Sequence, residues 1–186
     1  MVLMAMFVAL NVVFTRLLSA RVPIAGIETV RIGLGPLPVY IAGIIGGPIP
    51  GAIVGALGDI IGAILFPLGG YLPHFTVVAA LRGLLAGLLF KALRKENFEE
   101  IIMTKSPNRR WWYLKKDIWI ELGIPIAVPG LVSAISLSLL TLYLFNHPIL
   151  FTLPSHLLAF AILTPVYVYL GREVLKIYYR NNLKSK

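Results

Sequence analysis

RIGLGPLPVYIAGIIGGPIPGAIVGALGDIIGAILFPLGGYLPHF, Arg31 to Phe75, is the stretch on which the fold turns. It reads as two hydrophobic helices joined by the tight turn Gly46-Gly47-Pro48-Ile49-Pro50, then a Gly/Pro-rich loop carrying Tyr71 and Phe75. Gly51, Ala52, Gly55, Ala56, Gly58, Gly62 and Ala63 crowd the second helix. Small residues at four-residue spacing let helix backbones approach closely in lipid, where apolar bulk alone gives no drive to associate. Asp59 sits among them, and an ionisable group at membrane depth is costly enough to mark a candidate functional site.

Composition agrees with a membrane class. Of 186 residues, 58% are hydrophobic and only 13% charged, where a soluble domain carries about a quarter charged residues. The expected fold is an all-α membrane protein: one domain, 1–186, of six transmembrane helices with a binding pocket in the outer half. Cysteine is absent, which excludes disulfides, thiolate metal sites and a cysteine nucleophile. The first segment lacks a basic n-region and an A-x-A-like site, so it is expected to stay in the membrane rather than be cleaved.

The hydrophobic segments run roughly 2–20, 33–47, 49–66, 75–92, 118–144 and 155–178. Pro36 and Pro38 interrupt the second and Pro125 and Pro129 the fifth. In lipid such breaks survive only where neighbouring helices or water satisfy the freed carbonyls, so they belong beside a cavity. Thirteen of the seventeen Lys and Arg lie between Lys91 and Lys116 or between Arg172 and Lys186. The positive-inside rule then puts both termini and the loop between segments 4 and 5 in the cytoplasm, and explains the net charge of +9 better than nucleic acid does. Trp111, Trp112 and Tyr113 read as an interfacial anchor. Three stretches face outward, Arg21 to Ile32, Pro67 to His74 and Asn146 to Pro154, each expected as a loop shaped by turn residues.

No G-x-x-x-x-G-K-[ST] loop and no H-E-x-x-H is present, and His74, His147 and His156 are scattered over outer loops. Nothing here marks an enzyme, a metal site or a cofactor site. Ala5 and Ala9 make an A-x-x-x-A step, read either as packing or as a docking face for another membrane protein. Arg16, near the outer end of segment 1, either snorkels to headgroups or meets a ligand. Arg31 precedes the Gly33-Leu34-Gly35-Pro36 break, where a guanidinium fork suits carboxylate recognition or sits as an interfacial charge. Asp59 and Arg82 each lie seven residues in from Phe66 and Phe75, hence at one level on antiparallel helices. A structural ion pair between them is expected; the alternative has Asp59 accepting hydrogen bonds from a heterocycle. Tyr71, Phe75 and Tyr143 with Thr141 are either aromatic-belt residues or partners for a flat ring.

These residues resemble a family: the substrate-binding S component of energy-coupling factor (ECF) vitamin transporters, most closely the folate-specific kind. The likeness is carried by Ala5-x-x-x-Ala9, Thr15-Arg16, R-I-G-L-G-P-L-P (Arg31 to Pro38), G-G-P-I-P-G-A-I-V-G-A-L-G-D (Gly46 to Asp59), F-P-L-G-G-Y-L-P-H-F-T (Phe66 to Thr76) and L-T-L-Y-L (Leu140 to Leu144). The chain departs from the family at His74, at Tyr143 and at His156, which stands where the family has an arginine near the start of helix 6. The resemblance implies a multi-pass plasma-membrane protein that binds a vitamin from outside. It then works with a transmembrane coupling protein, meeting it through Ala5 and Ala9, and with two cytoplasmic ATPases. Arg16, Arg31, Asp59, Tyr71, Phe75, Arg82, Thr141, Tyr143 and His156 are the candidate substrate-binding residues. Folate, a pterin joined through an aminobenzoyl ring to a glutamate, suits stacking rings and cationic forks. The alternatives are an S component for another vitamin and a self-sufficient secondary transporter in which Asp59 titrates or binds Na⁺.

Overall fold

The computed structural model describes residues 2–24, 27–67, 71–94, 98, 119–145 and 149–184. Among them six α-helices form one bundle: α1 (Val2–Arg16), α2 (Pro36–Gly46), α3 (Pro48–Leu65), α4 (Pro73–Leu93), α5 (Ile124–Phe145) and α6 (Ile149–Lys184). A single π-helical turn, Trp119–Gly123, leads into α5. By length and composition, four stretches can cross a membrane: Pro48–Leu65, Pro73–Leu93, Trp119–Leu144 and Thr152–Arg180. Val2–Arg16 and Pro36–Gly46 are shorter apolar helices. Ile53, Leu57, Ile64, Leu158 and Ile162 stand exposed on the bundle wall, as apolar side chains do where lipid is the solvent. Trp111 to Tyr113 lie outside the described residues.

Prolines start helices here more often than they break them. Pro36, Pro48 and Pro73 each sit in the first turn of α2, α3 and α4, where the missing N–H is not needed and φ is already helical. Segment 2 is therefore a short helix with a proline start, not the interrupted span expected. Pro129 does lie inside α5, and Ser133 Oγ donates to its carbonyl at 2.7 Å. Gly47, at φ 95°, turns α2 into α3 with no side chain to clash.

Outside the bundle, the stretch expected as a loop from Arg21 to Ile32 is instead an antiparallel hairpin, β1 (Ser19–Ile24) with β2 (Ile27–Gly33). Its register pairs Ser19 with Gly33, Arg21 with Arg31 and Val22 with Val30, and slips between Val22 and Pro23. Proline cannot donate to a ladder, so the irregularity falls where the sequence demands one. Helix α1 accordingly ends at Arg16, four residues short of the expected segment.

α2 is buried from Leu37 to Ile44 without a break, which suits a helix that is hydrophobic all round. It packs among α1, α3 and α4. A Cβ at Gly51 would lie 2.6 Å from both Gly43 Cα and Gly83 O, so only glycine permits this three-helix approach. Glycine contacts also fix the α3–α4 register: Gly55 meets Ala79, Gly51 meets Gly83, and Pro48 meets Gly87. Met4 packs on Gly46, and Phe90, Phe98 and Tyr179 stack with ring centroids 4.9 and 6.2 Å apart. Both termini thus lie at one end of the bundle, the terminal end; the hairpin lies towards the other.

Candidate functional site

Asp59 does not pair with Arg82. Its Oδ1 lies 3.8 Å from Arg16 Nη2, and its Oδ2 accepts a 2.7 Å hydrogen bond from Thr76 Oγ1. The expected pairing assumed that Phe66 and Phe75 mark one depth. The glycine contacts set another register, with Asp59 level with Thr76 and Arg82 level with Ala52. Seven residues of helix separate those levels, about 10 Å. The side chain of Arg16 is 6% exposed, so it neither snorkels nor stands open to a guest. It lies across α3 at Gly62, where a Cβ would come within 2.8 Å of its Nε. The chain of contacts ends at the surface: Tyr71 OH and Thr76 Oγ1 are 2.8 Å apart, and Tyr71 is half exposed. Phe75, one residue from Thr76, is half-buried. One turn deeper, Asn11 packs on Gly58 and donates to Gly35 O at 2.7 Å, tying α1 to the hairpin-side start of α2.

Arg82 reaches across to α5 instead, its Nε donating to Ser133 Oγ at 3.1 Å. Tyr40 and Tyr167 pack their rings at 5.8 Å, and the Tyr40 hydroxyl faces Gly130, three residues before Ser133. Tyr167, at the midpoint of α6, donates to Gly33 O at 2.6 Å and so ties the end of β2 into the bundle. Arg31 lies two residues before that anchor and opposite Arg21.

The remaining candidates stand apart. Thr141 donates to Ser138 O at 2.9 Å, and Ser138 Oγ is 3.0 Å from His156 Nδ1. All three are buried and brace α5 against α6. Tyr143 is 85% exposed and joins neither group. Ala5 and Ala9 are both exposed on α1. Tyr40, Tyr167 and Ser133 were not among the expected residues; two tyrosines far from either end of a span, where belt residues do not belong, are the signal that marks them. A cavity of 280 Å³ among the described residues lies at the terminal end, between Gly43–Gly47 and Gly87–Arg94, and includes none of the candidates. No cluster of three or more metal-ligating side chains occurs among the described residues.

Against known proteins, the family model for the ECF-type riboflavin transporter, S component, matches residues 1–106. The folate transporter FolT of Clostridium novyi (strain NT) is 41% identical over 90 residues, 48% of this chain and 49% of that protein. The chain thus aligns with about half the length of that curated relative. Among solved structures, FolT bound with folic acid superposes with a TM-score of 0.64 at 24% identity, over 93% of this chain and 94% of that one. The S component of a bacterial ECF transporter gives 0.58 at 18% identity, over 95% of each. These two likenesses establish the fold.

Proposed function

The chain belongs to the ECF-type riboflavin transporter S component family, and from that premise we propose that its own guest is folate. It is a multi-pass plasma-membrane transport protein, not an enzyme. In this proposal the hairpin end faces outward and both termini face the cytoplasm, in keeping with the thirteen basic residues of the sequence between Lys91 and Lys116 and between Arg172 and Lys186. The guest enters from the hairpin end, beside Tyr71 and Phe75, whose rings stack on its flat systems.

One observation carries folate over riboflavin. The hairpin register sets Arg21 opposite Arg31, which gathers two cationic residue types at the hairpin end. A dianionic glutamate tail suits such a cationic end; riboflavin has no carboxylate to offer. The 41% identity to a folate transporter supports the same choice. Delivery requires partners: a transmembrane coupling protein seated on the exposed Ala5–Ala9 face, and two cytoplasmic ATPases.

Binding of radiolabelled folate to the detergent-solubilised protein tests this, with riboflavin, biotin and pantothenate as competitors. Saturable binding displaced by unlabelled folate alone is expected. Displacement by riboflavin, with folate inert, would overturn it.

A further inference from the structure

We infer that Arg82 is the specificity-determining cation of this site, taking one carboxylate of the guest, while Arg16 is withheld from the guest by Asp59. The inference rests on the folate reading above and adds to it which end of the guest goes deepest. Arg16 has a carboxylate at 3.8 Å. Arg82 makes no ion pair among the described residues: only its Nε is engaged, and by a neutral hydroxyl. Glu121, the acid at the start of the same α5 segment, is twelve residues before Ser133, about 18 Å along the axis.

A guanidinium near the middle of a span without a counter-anion is expensive in lipid. Its two remaining NH₂ groups form the fork that fits a carboxylate in bidentate fashion. The direction is favourable too. Cβ atoms lean towards a helix N-terminus, and the N-terminus of α4 is at the hairpin end, so Arg82 leans towards the side of entry. Tyr167 links the two cationic regions. It packs on Tyr40 and holds Gly33, two residues of strand, about 7 Å, from Arg31. A carboxylate on Arg82 would set the acidic end of the guest deeper than its rings, which Tyr71 and Phe75 meet at the mouth.

The test compares folate with its diamide, in which both glutamate carboxylates are primary amides, on wild-type protein, Arg82→Gln and Arg82→Lys. Arg82→Gln should weaken folate binding by about ten- to hundredfold, the loss of a charge-assisted contact, and leave diamide binding unchanged. Arg82→Lys, which keeps the charge and loses the fork, should fall between for folate and match wild type for the diamide. Unchanged diamide binding also reports an intact fold. Equal losses for both ligands, or no loss for folate, would overturn the inference. If wild type binds folate and Arg82→Gln binds it equally, only this inference falls; if wild type binds no folate, the vitamin assignment falls with it.

Discussion

At membrane depth each oxygen of the Asp59 carboxylate has its own partner, Arg16 on one side and Thr76 on the other. Removing one member of such a pair leaves the other's charge largely out of water. Arg16→Met and Asp59→Asn should each lower stability by about 1–3 kcal/mol, less than a fully dry pair because the Asp59 side chain is 22% exposed. The double variant should lose less than the sum, and a thermal-melting cycle in detergent measures the coupling. Additive losses would mean that the two groups do not interact. The sequence made Asp59 conspicuous but misjudged its partner. Helix ends can be read from Pro and Gly, whereas the register between two helices comes from contacts such as Gly55 on Ala79, which no single-chain pattern records. Thr76 was visible within the motif ending at Phe75-Thr76, yet nothing in its type marked it as the acceptor's neighbour.

Helices were the legible elements, because twenty-odd apolar residues between turn signals have few other folds in lipid. The hairpin was not read, although Arg21-Val22-Pro23-Ile24 and Ile27 to Ile32 are two β-branched runs flanking Ala25-Gly26, the pattern of a short strand pair. Pro23 and the charges disguised it as a loop. Among the helices, α2, α3 and α4 depend on bare backbone at their crossing. Gly51→Ala should push a methyl into Gly43 and Gly83 and cost about 1–3 kcal/mol, seen as a lowered melting temperature. Ala5→Leu and Ala9→Leu alter an exposed face of α1 and should leave folate affinity unchanged while abolishing co-purification with the coupling protein. Normal uptake in both variants would reduce that face to ordinary lipid contact.

For the molecule as a whole, the absence of native cysteine makes topology directly measurable. Asn146→Cys should react with a membrane-impermeant maleimide in intact cells, and Lys105→Cys only after lysis; the reverse pattern would invert the protein. Overall architecture was legible because charge and hydropathy are summed along the chain, while the candidate site was less so because its residues come from α1, the hairpin, α3, α4, α5 and α6. α6 has 36 residues, about 54 Å of rod in a hydrocarbon slab about 30 Å thick. Hiding all of it would need a lean near 56°, steeper than spanning helices adopt, so the stretch bearing Arg172, Lys176 and Arg180 reaches past the slab while Leu175 and Tyr179 keep it packed on the bundle. That overhang limits how far the bundle can lean before the charges of Arg172 and Lys176 are drawn into hydrocarbon.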